Sequence, residues 1–299
     1  LMNSEGPTNS SDQDIYCSWL PIYHDFGLVC SVGFPLFFGR RSVLVPTEVF
    51  ISEPLAWVRI MEEKRITMSA VPPFALDLVG AAARGAGTQL RLPRLRYMWL
   101  AAEPIFTSRV LAFSKFVEVD CHALSFLRPA FGLAESVIGV TVTDADSNFS
   151  WISIHDAAYR TGIVNVCADE QPGSTRIASC GRVISTTELK ICDRDGRSLG
   201  DRKRGRIWIK GPSVTEGYWG ESESPLKDGW LDTGDEGFLL DGQLYVCGRT
   251  KDTLIRGGVN FDAHEIEDAV DAWADDKIQD FYDRQSEERL TSLDQKGTV

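Results

Sequence analysis

The chain has 299 residues, 43% hydrophobic and 25% charged, which is the balance of a folded globular protein and excludes a disordered or fibrous one. At roughly 100–200 residues per domain, this length accommodates two or three units. The 31 basic and 43 acidic side chains give a net charge of −12, leaving no broad basic field for a nucleic-acid backbone. The charge is uneven: residues 260–299 hold 12 Asp/Glu against 4 Lys/Arg, so this tail carries −8 of the total. Seven cysteines, at 17, 30, 121, 167, 180, 192 and 247, form no CxxC pair. Their odd number points away from a disulfide framework and toward a reducing, cytoplasmic compartment. Only four histidines are present, which disfavours a metal-ligand cluster. The longest apolar run, 28–38, is interrupted by Gly33 and Pro35 and falls short of the roughly twenty residues a bilayer span needs. No stable membrane insertion is expected. The first fourteen residues are polar and lack the basic and apolar regions of a signal peptide.

In chain order, residues 15–47 read as strand, helix, strand. Pro54 opens a helix over 54–66, with Leu55, Val58, Ile60 and Met61 near helical spacing. TMSAVPP is a strand stopped by Pro72 and Pro73, and the helix that follows is expected to end at Gly85. LRYMWLAAEP is a strand, and 105–116 is a helix. Strands alternating with helices at this pace predict an α/β layer with a largely parallel sheet. Near residue 145 the texture changes to short strands with Asp-Gly turns at 195–196, 228–229 and 241–242, the signal of hairpins in a small antiparallel barrel or sandwich. After Arg249 the pattern changes again. Asp262 with Glu265 reads as a capping box, and Ile266, Ala269, Val270 and Trp273 form one apolar stripe of a helix. Residues beyond about 283 read as frayed.

Four segments carry candidate chemistry, and each has a plain structural alternative. SWLPIYHDFGLV (18–29) sets Tyr23, His24 and Asp25 on a Gly-bounded turn, which is either functional or a satisfied polar corner. FGLAES (131–136) offers an aromatic to stack on a base, a Gly permitting close backbone approach, and a carboxylate suited to Mg²⁺. It also fits any helix start with an acidic first turn. In GWLDTGDEGFLLDG (229–242), Asp235 follows Gly234 in a turn, where it would accept two ribose hydroxyls or merely form an Asx-turn. GRTKDTLIRGG (248–258) places Arg249 to reach a phosphate or ribose and Lys251 to mark a hinge, or else it is a solvated linker.

Together, in this order and spacing, the segments resemble the adenylate-forming (ANL) superfamily, and more closely its fatty-acyl-AMP ligases, over about residues 15–270. SWLPIYHDFGL resembles the family's acyl-pocket motif, with His24 as its gating residue. AAEP (101–104) resembles the turn beside the adenine, which implies Ala102 and Glu103. FGLAES resembles the YGLAEA loop: Phe131 would stack on adenine beside Gly132 and Ala134, and Glu135 would bind Mg²⁺. CGR (180–182) and GPSVTEGYWG (211–220) match strands of the second subdomain. Asp235 corresponds to the ribose aspartate, Arg249 to the ribose/phosphate arginine, and Lys251 to the hinge. GGVNFDAHEIE (257–267) resembles the start of the C-terminal domain.

The resemblance implies an incomplete adenylation domain of the acyl-CoA synthetase-like fold, with an α/β layer plus a small β-barrel. A partial α/β subdomain with the acyl pocket is expected at 1–146, an insertion and barrel at 147–248, and a hinge with a truncated C-terminal domain at 249–299. The insertion, 147–179, is linked in the family to making acyl-AMP without progress to a CoA thioester. The implied reaction activates a fatty acid with ATP and Mg²⁺ for transfer to an acyl carrier protein. The apolar pocket is expected near Trp19, Phe26 and the helix after Pro73. Two departures stand out: no TSGSTG-like phosphate loop precedes residue 15, and neither Lys277 nor Lys296 sits in the family's catalytic-Lys motif. Impaired adenylation is therefore expected. The rival readings are an acyl-CoA synthetase or peptide-synthetase adenylation domain, and a non-catalytic relative that binds acyl-AMP or nothing.

Overall fold

A computed structural model describes residues 11–118, 124–144, 146–256, 259–262, 266, 270 and 273. The chain divides into two compact units, Leu1–Lys251 and Asp252–Val299. Within the first unit, one hydrogen-bonded sheet joins strands from before and after residue 146.

The first unit begins with parallel strands. These are β1 (Ile15–Ser18), β2 (Arg41–Leu44), β3 (Met68–Val71), β4 (Tyr97–Leu100) and β5 (Leu127–Phe131), in spatial order β2-β1-β3-β4-β5. β1, β3 and β4 are buried at all four positions, which explains why they read as unbroken apolar or small runs rather than alternating ones. Helices cover both faces. On one, Cys17, Val71, Met98 and Leu100 pack with Trp57, Leu76, Val79 and Phe113 of α2 (Pro54–Glu63), α3 (Phe74–Ala86) and α4 (Thr107–Ser114). On the other, Tyr16, Met68, Ala70, Tyr97 and Trp99 pack with Phe26, Cys30 and Phe34 of α1, the helical segment over 25–38. The α3 helix passes Gly85 and stops at Gly87, whose φ of 60° supplies the left-handed cap.

The antiparallel half grows directly from β5. Thr141–Val142 (β6) pairs antiparallel with β5 on one side and with Ser174–Val183 (β8) on the other. From β8 the sheet continues through Gln243–Arg249 (β12), Trp230–Leu240 (β11) and Gly205–Lys210 (β10) to Glu188–Cys192 (β9). The expected small antiparallel subdomain is thus met as a run of strands continuous with the parallel layer. Two of the three Asp-Gly turns are tight two-residue hairpins with positive φ at both residues: 52° and 78° at Asp228-Gly229, and 52° and 74° at Asp241-Gly242.

The 147–179 stretch is built into this half. Its strand Trp151–His155 (β7) pairs with the first part of β8, and Ile154, Tyr159 and Val164 share a core with Phe238, Leu240 and Tyr245. Arg176 grips Asp169 through its Nε and Nη2 groups at 2.7 and 2.8 Å, and Ser153 donates to the same carboxylate at 2.6 Å. The Arg176 bonds and then the Ser153 bond hold the Asp169 carboxyl well below the usual carboxylate range.

In the second unit, Thr253–Arg256 (β13) and Val259–Asp262 (β14) form an antiparallel pair. Asp262 closes β14. Ile266, Val270 and Trp273 are helical and exposed, while Glu265 and Ala269 of the expected cap and stripe lie outside the described residues. No helix among the described residues is long and apolar enough to cross a membrane.

Candidate adenylate-binding site

A candidate site lies within the first unit, as a cavity of about 860 Å³ where the carboxyl ends of β4 and β5 meet the 25–38 helix and the first antiparallel strands. In open α/β sheets, ligands collect at the carboxyl ends of the strands. Part of the lining is apolar, where Phe26, Cys30, Phe34 and Phe38 pack with Trp99. Its polar residues include Glu135, Asp235 and Arg249.

The helical segment owes its shape to local chemistry. The His24 Nδ1 caps it by accepting the Phe26 N–H at 3.2 Å, and the Asp25 carboxylate accepts the same N–H at 2.8 Å. Gly27 has no room for a side chain, since a Cβ there would meet the Pro21 carbonyl oxygen at 2.2 Å. Residues Leu28–Gly33 then wind as a π-helix, a form often found at functional sites. The widened turn places Val29, Cys30 and Gly33 on the cavity. Burial, with the Asp25 charge adding to it, pushes the Cys30 thiol up to about 12. Burial also pushes Cys17 and Cys180 up to about 12. We therefore expect brief iodoacetamide treatment of the native protein at pH 8 to modify the half-buried Cys167 and leave Cys17, Cys30 and Cys180 intact, as read by peptide mass spectrometry. Early labelling of Cys30 would show that the cavity wall opens to solvent.

The FGLAES segment folds back on itself. Phe131 ends β5, Ala134–Ser136 form one 3₁₀ turn, and Val137 and Ile138 follow with φ of 52° and 73°. A Cβ on Gly132 would lie 1.3 Å from the Ile138 carbonyl oxygen, so only glycine lets the turn close. Ala102, after β4, also takes a positive φ of 76°, a strained state of the kind that clusters at binding sites.

Asp235 is not in a turn. It sits inside β11 directly opposite Arg249 of β12, whose Nε approaches its Oδ1 at 3.2 Å. The Asx contact instead belongs to Asp232, which accepts the Gly234 N–H at 3.1 Å. Asp235 is largely buried, whereas the Arg249 side chain is 72% exposed.

Of the residues singled out in the sequence, His24, Ala102, Phe131, Gly132, Ala134, Glu135, Asp235 and Arg249 all line this one cavity. Glu103 does not: its carboxylate accepts the Phe74 N–H at 3.4 Å, at the start of α3. Lys251 lies in the short turn Thr250–Asp252, exposed, where the two units divide. Trp19 and the helix after Pro73, expected at an acyl pocket, lie on the other side of the sheet, whereas Phe26 lines the cavity. Trp19 is stacked on Phe50 at 3.9 Å in the core, with Phe74 packed at its edge. Sequence reasoning missed Trp99, Phe34 and Phe38. The helical spacing of the two phenylalanines was the available signal.

A glycine-dependent turn carrying an aromatic and a carboxylate thus lines the same cavity as an aspartate–arginine pair. The chain belongs to the AMP-binding enzyme family, whose profile matches residues 2–219. It is 30% identical over 265 residues to the putative ligase Rv1013 of Mycobacterium tuberculosis, covering 87% of this chain and 48% of that protein. It is 28% identical to the probable long-chain-fatty-acid–AMP ligase FadD30 of the same species, covering 88% and 48%. Among solved structures, one from a study of fatty acyl-adenylate ligases from E. coli and L. pneumophila superposes with a TM-score of 0.80 at 31% identity, covering 88% of this chain and 48% of that one. The adenylation domain of a keto acid-selecting NRPS module bound to keto acyl adenylate gives 0.76 at 26%. The chain spans about half the length of the curated relatives it matches. Its described residues match the N-terminal adenylation domain of these enzymes.

Proposed function

We propose that this chain forms the acyl-adenylate-binding part of a fatty-acyl-AMP ligase. That enzyme joins a fatty acid to ATP and passes the acyl group to a carrier protein. The observation that carries the reading is the single cavity in which an apolar wall (Phe26, Phe34, Trp99) meets a polar end (Glu135, Asp235, Arg249). In the reaction, a carboxylate oxygen attacks the α-phosphorus of ATP, and the bond to the departing pyrophosphate breaks. The carboxylate is a weak nucleophile meeting a highly charged partner, so catalysis rests on positioning and on offsetting charge.

Each residue has a role in that scheme. Phe131 stacks on the adenine, between Gly132 and Ala134 of its own turn and Ala102 of the neighbouring strand end. Asp235 accepts the ribose hydroxyls, and Arg249 holds it in place and reaches the phosphate. His24, fixed as a helix cap, stands at the mouth between the acyl wall and the reacting carboxylate. Lys251 marks the hinge between units. Glu135 suits Mg²⁺, because among the described residues Tyr218 engages only one of its two carboxylate oxygens. No cluster of three or more His, Cys, Asp or Glu ligands exists among them, which fits a cation held chiefly by phosphates and water. When bound, Mg²⁺ supplies charge neutralisation at the phosphates. The 147–179 insertion and the apolar wall support a fatty-acyl rather than a peptide-synthetase substrate.

Calorimetric titration tests the reading. A hydrolysis-resistant fatty-acyl-AMP analogue is expected to bind more tightly than AMP. The gain should grow by up to about 0.8 kcal/mol per added methylene until the cavity is full. An analogue that binds no better than AMP would sink the proposal.

A further inference from the structure

The segment 211–220 plays no part in the scheme above, yet it touches the site at one point. The Tyr218 hydroxyl donates to Glu135 Oε1 at 2.8 Å. Beside it, the Thr215 N–H donates to the Glu135 carbonyl at 2.7 Å, so the segment is fastened to both the backbone and the side chain of that residue. The segment is also braced within itself. The Thr215 hydroxyl donates to the Gly217 carbonyl at 2.9 Å and accepts the Gly217 N–H at 3.3 Å. The Ser224 hydroxyl donates to the Glu216 carbonyl at 2.9 Å. The neighbouring Trp219 is fully exposed.

A glutamate has three rotatable bonds, and a half-exposed one samples several rotamers unless something holds it. Here one oxygen is held by a phenol on a braced loop, and the other is left for a cation. We propose that Tyr218 is a positioning residue that fixes the Glu135 carboxylate for a divalent metal. The proposal rests on the reading of Glu135 given above. It assigns the GPSVTEGYWG segment to metal capture as well as to the framework. Groups that orient a metal ligand typically contribute an order of magnitude or more to affinity, and an exposed one is expected near the lower end.

The test titrates Mn²⁺ into the chain saturated with the acyl-AMP analogue and follows water-proton relaxation, with no turnover required. Wild type, Glu135→Gln, Tyr218→Phe and Trp219→Phe are compared. Glu135→Gln is expected to lose the bound Mn²⁺ signal. Tyr218→Phe should bind Mn²⁺ about three- to tenfold more weakly, and Trp219→Phe like wild type. Wild type that binds no Mn²⁺, or Glu135→Gln that binds it unchanged, overturns the metal reading of Glu135 and the role of Tyr218 with it. Loss in Glu135→Gln alongside wild-type affinity in Tyr218→Phe overturns the Tyr218 role alone. A Tyr218→Phe variant that loses melting temperature and metal-free analogue affinity together has a collapsed loop, and that result also overturns the positioning role.

Discussion

Gly132→Ala is expected to destabilise the first unit by about 3–5 kcal/mol, lower the melting temperature by about 10 °C, and abolish binding of the acyl-AMP analogue. An added methyl would sit 1.3 Å from the Ile138 carbonyl oxygen and 2.4 Å from its carbon. These are backbone atoms of a segment already held at positive φ by Val137 and Ile138, so no side-chain rotation relieves the overlap. The turn must open. Opening it moves Phe131 on one side of Gly132 and Glu135 on the other, which are the base-stacking and metal-binding candidates. Thermal melting and calorimetry on the same preparation check both halves. A variant with wild-type stability would mean that the turn does not close as seen here.

Asp235→Ala is expected to weaken binding of AMP and of the acyl-AMP analogue about 100-fold with little loss of stability. Two hydrogen bonds from ribose hydroxyls to a carboxylate together account for roughly 3 kcal/mol, and each 1.4 kcal/mol is tenfold. The stability cost stays near about 1 kcal/mol, because the partner left behind, Arg249, is 72% exposed and regains water. Asp235→Asn keeps one acceptor and is expected to fall between alanine and wild type. The contrast with Gly132→Ala separates a contact from a scaffold: one variant loses affinity alone, the other affinity and fold together. Equal nucleotide affinity in wild type and Asp235→Ala would remove Asp235 from the site.

Much of this architecture was legible in the sequence, for reasons that can be named. Met68–Val71 and Tyr97–Leu100 are buried on both faces, so composition alone betrayed them. The Asp-Gly pairs at 228–229 and 241–242 reported their turns because few other pairs tolerate two positive φ values. Adjacency in sequence misled elsewhere. Trp19 stands near Phe26 in the chain but beyond the end of β1, where its ring turns into the Phe50 and Phe74 cluster instead of the cavity. Glu103 follows Ala102 directly, yet the positive φ at Ala102 redirects the chain and delivers the carboxylate to the start of α3. Asp235 read as a turn residue because Gly234 precedes it. The glycine instead permits a positive φ of 79° within one long strand, and the ladder opposite supplies Arg249. Such outcomes depend on what lies across a sheet, which no local window contains.

The strand Leu127–Phe131 pairs in parallel with Tyr97–Leu100 on one side and antiparallel with Thr141–Val142 on the other. This sets a limit on recombination between relatives. A chimaera that joins the parallel layer of one parent to the antiparallel strands of another by a cut in this strand or the turn after it divides Phe131, Gly132 and Glu135 between unmatched neighbours. Side chains on the 25–38 helix, which line the cavity but lie outside this strand, are therefore expected to tolerate exchange between relatives better than segments cut at this strand do.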